Sequence, residues 1–131
     1  MIEQGALLWP FEGSLSGLAA RGGVVLAETY PGEAYGHVGV AFKATESKRR
    51  QSDRATKAAA ILGWAAQRGV TIAPDVEADI TDGFGARSNG EDRFDALLGL
   101  LGMIEVVAGW RPEAVYPPGA PSPWEGWILG Q

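Results

Sequence analysis

The pattern of apolar and polar positions along the chain predicts one buried strand and several helices. Residues 24–27 (Val-Val-Leu-Ala) form an apolar run without alternation, which is typical of a strand covered on both faces. Helical spacing, capping residues and terminal glycines together predict helices over residues 14–21, 32–38, 52–68, 74–81 and 91–108. The pattern therefore indicates an α/β fold with few strands and several packed helices.

The segment 91–108 gives the clearest helical signal. Ser88 or Asn89 is suited to cap it, and Gly109 ends it. Its apolar stripe consists of Phe94, Leu97, Leu98, Leu101 and Ile104. In the segment 52–68, Ser52 is the expected cap, Gly69 the stop and Trp64 an anchor. The predicted small apolar face of that helix consists of Ala55, Ala58, Ala59, Leu62, Ala65 and Ala66.

Length and composition favour a single domain over residues 1–131. The chain has 131 residues, of which 46% are hydrophobic, and this is enough apolar mass for a core. Residues 117–123 are too rich in proline for regular structure, so we predict a loop there within the domain. Trp124 and Trp127 follow this loop and are expected to pack back on the body.

Charge and residue usage exclude several classes of protein. The absence of cysteine excludes disulfides, thiolate zinc sites and cysteine nucleophiles, and the single histidine, His37, excludes two-histidine metal motifs. A formal net charge of −5 excludes a general basic coat for duplex DNA. No apolar run approaches the ~18–20 residues that cross a bilayer, and the N-terminus lacks the layout of a secretory signal. We therefore expect a cytoplasmic protein without membrane contact.

Three carboxylates are candidate metal ligands: Glu28, Asp92 and Asp95. Glu28 follows the predicted strand, while Asp92 and Asp95 are spaced i, i+3 on one face of the helix 91–108. Gly99 and Gly102 continue that face, so a close approach of the strand would bring the aspartates beside Glu28. Clustered carboxylates suit a hard divalent cation, Mg²⁺ or Mn²⁺. The alternative is that both aspartates only complement the helix macrodipole, worth about 0.3–1 kcal/mol each.

Four segments together resemble the domain-of-unknown-function 429 family, which comprises predicted nucleases of RNase H-like fold. These segments are Leu8-Trp9-Pro10-Phe11-Glu12-Gly13, residues 27–35 (Ala-Glu-Thr-Tyr-Pro-Gly-Glu-Ala-Tyr), residues 92–98 (Asp-Arg-Phe-Asp-Ala-Leu-Leu) and Glu125-Gly126-Trp127-Ile128. They span nearly the whole chain in this order. Any one of them alone would be a weak signal, whereas the set is moderately specific.

The resemblance implies a carboxylate-held metal site for phosphodiester hydrolysis. RNase H-like nucleases place one acidic residue on the first strand, a second after a later strand and one or two more on the last helix. Glu28 matches the second position, and Asp92 with Asp95 match the helical positions. Family members also carry an N-terminal half with the first-strand aspartate, and this chain resembles only the part after it. The resemblance therefore implies a partial RNase H-like fold. Because a partial sheet has an exposed edge that needs cover, we expect a homodimer or pairing with a separate N-terminal half.

A basic segment lies in the sequence between Glu28 and the aspartates Asp92 and Asp95. Residues 43–57 contain Lys43, Lys48, Arg49, Arg50, Arg54 and Lys57. With Glu46 and Asp53 they give this window a charge of +4 against −9 for the remainder. Such a segment is suited to contact a nucleic-acid backbone, although a solvated helix face is the alternative. For His37 we favour a surface or structural role over proton transfer.

Two functions remain open on the sequence. One is a Mg²⁺- or Mn²⁺-dependent nuclease, or nuclease subunit, that acts through Glu28, Asp92 and Asp95. The other is a non-catalytic interaction or nucleic-acid-binding domain that keeps the fold without the first-strand aspartate.

Overall fold

The computed structural model describes residues 5–114 and 128–130. Its described part is helix-rich, with a small two-stranded parallel sheet, and this agrees with the predicted α/β class. The proline-rich loop 117–123, Trp124 and Trp127 lie outside the described residues. The chain divides into two compact units, one formed by Met1–Tyr30 with Met103–Gln131 and the other by Pro31–Gly102. The single-domain organisation stays a prediction.

The first unit contains the sheet. Strand β1 (Leu7–Leu8) pairs in parallel with β2 (Val25–Leu26), and helix α1 (Leu15–Arg21) connects them. Ser14 caps α1 because its hydroxyl accepts a hydrogen bond from the amide of Gly17 at 3.2 Å. The predicted helix and strand of this region are therefore confirmed. Beyond β2, Glu28 forms a further parallel bridge with Ile128.

The core of the first unit lies on one side of the sheet. Trp9, Leu18, Val106 and Leu129 are its buried residues, and Leu7 and Val25 pack against them. The other side is open, since Val24 and Leu26 are 61% and 50% exposed. The prediction of a strand covered on both faces is therefore wrong. A run of apolar residues does not distinguish a doubly covered strand from one with an apolar outer face.

The second unit is helical. It contains α2 (Pro31–Val38), α3 (Gln51–Ala55), α4 (Ala58–Arg68), α5 (Pro74–Asp82) and the first thirteen residues of α6 (Gly90–Val107). Helices α2, α5 and α6 confirm the predictions to within one or two residues. The glycines after α4 and α5, Gly69 and Gly83, adopt the left-handed conformation that ends a helix.

The predicted single helix 52–68 is wrong, because the chain breaks it at Thr56 and Lys57. Helix α3 begins at Gln51 with Arg50 as its N-cap residue, ahead of Ser52. The break turns the side chain of Lys57 inward, where its ammonium contacts Glu46 at 2.6 Å. Helix α4 buries Ile61, Trp64 and Ala65, whereas Ala59 and Ala66 of the predicted face are exposed.

The stripe of α6 fills the core of the second unit. Phe94 and Leu98 are completely buried, and Phe94 meets the rings of Tyr35, Phe42 and Phe84 at centroid distances of 5.7, 5.9 and 6.0 Å. Gly102 allows a close approach, since a Cβ there would lie 3.0 Å from Cβ of Ala34. The backbone that approaches this glycine therefore includes α2. This packing fixes Tyr35 beside the start of α6.

Candidate acidic and basic site

Asp95 is held by two protein donors within the second unit. Its Oδ2 accepts a hydrogen bond from Nζ of Lys48 at 2.7 Å, and its Oδ1 accepts one from the hydroxyl of Tyr35. Phe94, the residue before Asp95, is buried, and this fixes the rotation of α6 about its axis. In that rotation the carboxylate of Asp95 faces the loop after α2. Asp95 is therefore a half-buried, fully engaged acid.

Lys48 joins Asp95 to a second carboxylate of the same helix. Its ammonium lies 3.2 Å from Oε1 of Glu91, which is one helical turn before Asp95. The hydrogen bond to Asp95 is the main cause that raises the pKa of Lys48 above its ordinary value. Partial burial lowers this pKa, and the hydrogen bond to Glu91 raises it further. Lys48 thus stays protonated and neutralises part of this acidic face.

Asp92 and Glu28 are both exposed, in different units. Asp92 stands in the first turn of α6 beside Glu91, where negative charge complements the helix macrodipole. Glu28 lies just beyond β2, and its carbonyl accepts the amide of Leu129 at 2.8 Å. Among residues 5–114 and 128–130, no group of three or more acidic or histidine side chains is arranged to hold a metal ion. The roles assigned to Glu28, Asp92 and Asp95 stay predictions.

Two cations of the predicted basic segment lie in the interior. Arg54 is 2% exposed and donates from all three guanidinium nitrogens to the carbonyls of Gly83, Lys48 and Gly85 at 2.7–2.8 Å. Lys57 is 8% exposed, and its ammonium lies over the ring of Phe42 while it bonds Glu46. Arg54 therefore joins the loop before α3 to the loop after α5, and Lys57 adds a contact to the loop before α3.

The other four basic residues reach the surface. Arg50 pairs with Asp53 at 2.6 Å, and Lys48 is engaged as described above. Arg49 has a side chain that is 85% exposed, with Nε 3.9 Å from Glu91, and Lys43 is exposed. Lys43 is therefore open to phosphate groups, and Arg49 can reach them by leaving its 3.9 Å contact with Glu91. The nucleic-acid role of the segment stays a prediction.

Two residues of this cluster, Tyr35 and Glu91, were not among the predicted site residues. Tyr35 lies 60 residues before Asp95, so no local spacing links the two. Glu91 precedes Asp95 by four residues, a spacing that places both on one helical face, and this signal was present in the sequence. His37 is exposed on α2, as a surface histidine would be.

The first unit contains an apolar cavity of about 440 Å³. Its wall includes Leu15, Ala19, Val25, Met103, Val106 and Leu129. The polar side chain Glu113 also lines it, and its Oε2 accepts the indole N–H of Trp9 and the amide of Leu15, each at 2.6 Å. None of the predicted site residues lines this cavity.

No helix in the described part of the chain is long and apolar enough to cross a membrane. Comparisons with protein-family models, with curated proteins and with solved structures gave no match.

Proposed function

We propose that this chain is a domain or subunit of a divalent-metal-dependent nuclease with an RNase H-like fold. The contact between Lys48 and Asp95 is the observation that carries the proposal, because it joins the basic segment to the acidic start of α6. Metal-dependent phosphodiester hydrolysis uses carboxylates to hold the metal ion and cations to stabilise the charge on the phosphate. Both residue types meet here within one unit.

The exposed cations beside this contact suit a phosphate backbone. Arg49 extends into solvent next to Glu91, and Lys43 is exposed on the same loop. Phosphate contacts of this kind position a nucleic acid without reading its sequence. The negative net charge of the whole chain is compatible with such local binding, because the window 43–57 has a local charge of +4.

The sheet supports the RNase H-like part of the proposal. The parallel bridge between Glu28 and Ile128 joins two of the segments that carry the resemblance, although they are 100 residues apart. Parallel neighbours at the end of a strand are typical of α/β folds, whose ligands bind beyond the carboxyl ends of the strands. Glu28 stands at such an end with its side chain exposed.

The donor set suits a hard cation, but Asp95 has to exchange a partner to bind one. Carboxylate oxygens are the ligands that Mg²⁺ and Mn²⁺ prefer. The ammonium of Lys48 and the hydroxyl of Tyr35 already engage both oxygens of Asp95, so a metal ion competes with Lys48. When bound, the metal would supply an activated water and stabilise the leaving oxygen. The first-strand aspartate would come from a homodimer partner or a separate N-terminal half.

Calorimetric titration with Mn²⁺ tests this proposal. We expect saturable binding to the wild-type chain, loss of it in Asp92→Asn/Asp95→Asn, and weaker binding in Glu28→Gln. Asp75→Asn is the matched control, since Asp75 is an exposed aspartate in the first turn of α5. Equal binding in all four proteins would contradict the assigned ligands, and no binding at millimolar Mn²⁺ would contradict a metal site in this chain.

A second candidate is a nucleic-acid-binding or interaction domain without catalysis. The engagement of Asp95 by Lys48 and Tyr35 favours it, because a carboxylate neutralised by its own chain needs no metal. Fluorescence anisotropy with a labelled single-stranded oligonucleotide in EDTA separates the two. Metal-independent binding that Lys43→Gln/Arg49→Gln weakens, and Arg21→Gln leaves unchanged, would support this candidate.

A further inference from the structure

The outer edge of β1 is closed by a side chain of the same unit. The amide of Leu7 donates to the carbonyl of Val24 at 2.8 Å, and the amide of Trp9 donates to the carbonyl of Leu26 at 2.9 Å. The peptide N–H and C=O of Leu8 therefore point away from β2. The amide of Leu8 donates to Oε2 of Glu12 at 2.6 Å, and its carbonyl accepts the amide of Glu12 at 3.0 Å. Glu12 therefore occupies both outward groups, and an added strand finds no free pair there.

The outer face of the sheet remains open and apolar. Leu8 and Leu26 are paired in register, and they are 48% and 50% exposed. Val24 is 61% exposed. It lies two residues before Leu26, so its side chain is on the same face of the sheet. Parallel sheets normally carry helices on both faces, because the connections between parallel strands place them there, and both faces of such sheets are therefore apolar. The exposed residues of this face are aliphatic, as they are on a sheet face that a helix covers.

The charges around the face select the kind of partner. Glu28 lies two residues after Leu26, so the alternation of β2 assigns it to the same side, and it is exposed. Glu12 lies at the edge beside Leu8. Two copies placed face to face would bring like charges together, in a chain that already has a net charge of −5. A partner with cations beside its apolar groups gains from the same arrangement.

We propose that this face, formed by Leu8, Val24 and Leu26 and bordered by Glu12 and Glu28, binds an amphipathic helix of a different polypeptide. The helix would present aliphatic side chains at i, i+3, i+4 and i+7, with lysine or arginine on the border of that stripe. The closed edge of β1 excludes the addition of a strand at that edge. The acidic border distinguishes this partner from a second copy of the chain.

The experiment uses the full chain and a labelled synthetic helix with leucines at those positions and flanking lysines. Fluorescence anisotropy should show saturable binding that Leu26→Ser weakens at least tenfold. Leu100→Ser is the matched control, because Leu100 is 52% exposed on α6, outside this face. Glu28→Lys should weaken the lysine-flanked helix and strengthen a glutamate-flanked one. A scrambled peptide of the same composition should not bind.

Three results would overturn the proposal. One is equal binding by wild type and Leu26→Ser, with circular dichroism showing that both proteins are folded. Another is equal binding of the scrambled peptide. The third is self-association in sedimentation equilibrium that Leu26→Ser abolishes, since this would assign the face to a second copy of the chain.

Discussion

Nζ of Lys48 lies 2.7 Å from Oδ2 of Asp95 and also contacts Glu91, so the acidic face of α6 already holds a cation. Any divalent ion that binds this face has to share or replace the charge of Lys48. This relationship makes the lysine a direct probe of the proposed metal site.

Lys48→Met should therefore tighten Mn²⁺ binding. The substitution keeps an aliphatic chain of similar length and leaves two carboxylates one helical turn apart without their common cation. Removing a competing charge at this partly exposed position should raise the affinity about tenfold, which corresponds to about 1.4 kcal/mol. Titration calorimetry measures it directly.

Lys43→Met is the control for that substitution, since Lys43 is exposed on the same loop. Its Mn²⁺ affinity should match the wild type. Unchanged affinity in Lys48→Met would mean that Asp95, whose carboxylate Lys48 engages, does not bind the ion.

Arg54→Met should destabilise the fold strongly. Arg54 is 2% exposed, and its removal leaves the carbonyls of Gly83, Lys48 and Gly85 without their donors. We expect a loss of about 3 kcal/mol or more in the free energy of unfolding, measured by urea denaturation. Arg54→Lys should recover only part of it, because an ammonium cannot reproduce the planar fork of donors.

Arg49→Met is the matched control for a cation of the same segment. Its side chain is 85% exposed, and the change should stay within about 0.5 kcal/mol. Equal losses in the Arg49 and Arg54 variants would show that the internal hydrogen bonds of Arg54 contribute nothing specific.

The contrast between these two arginines also shows which features of the structure can be predicted from the sequence. Terminal glycines and apolar spacing are local signals, and they were sufficient for α1, α2, α5 and α6. Arg54 is buried against carbonyls 29 and 31 residues away, which no local window of sequence contains, and the pairing of Lys57 with Glu46, 11 residues before it, depends on how the chain between them folds. A basic run therefore looked uniform although two of its members are interior.

The same distinction applies to the candidate site. Asp95 was predictable because its position on α6 follows from the stripe of that helix. Its partner Tyr35 was not, since it comes from another helix and depends on the packing of Phe94. The open face of β2 was missed for a related reason, because an apolar residue is equally compatible with a core and with a surface awaiting a partner.

Acid should remove the stabilisation that Glu46 provides. Its hydrogen bond from Lys57, with a further one from the amide of Lys43, lowers the pKa of the Glu46 carboxyl below its ordinary value of 4.5. A carboxyl whose pKa is lowered in the folded state stabilises above its unfolded pKa, and the effect is lost as pH falls through the folded value. Wild type should thus exceed Glu46→Gln in stability at pH 7, and the difference should shrink below pH ~4.5.

Urea denaturation at several pH values measures this convergence. Glu77→Gln is the control, since Glu77 is an exposed acid in the first turn of α5. Its difference from wild type should stay small at neutral pH. A constant gap between wild type and Glu46→Gln from pH 7 to pH 3 would contradict the assigned role of the ion pair.

Gly83→Ala and Gly63→Ala should change stability in opposite directions. Gly83 ends α5 with φ of 68°, and a Cβ there would lie 2.5 Å from the carbonyl oxygen of Gln51 and 2.7 Å from the amide nitrogen of Ala55. The substitution strains the backbone and pushes α3 from the end of α5. We expect a loss of about 2–4 kcal/mol in the free energy of unfolding.

Gly63 lies inside α4, and a Cβ built there meets no atom within 4 Å. Alanine removes unfolded-state entropy and improves helix propensity, so Gly63→Ala should stabilise the chain by about 0.5–1 kcal/mol. Urea denaturation of both variants checks the pair. If Gly83→Ala were neutral, the contact between α3 and the end of α5 would not be tight, and the carbonyls that Arg54 binds would lose their fixed position. The glycine pair therefore tests the same junction as the arginine substitution, from the side of the backbone.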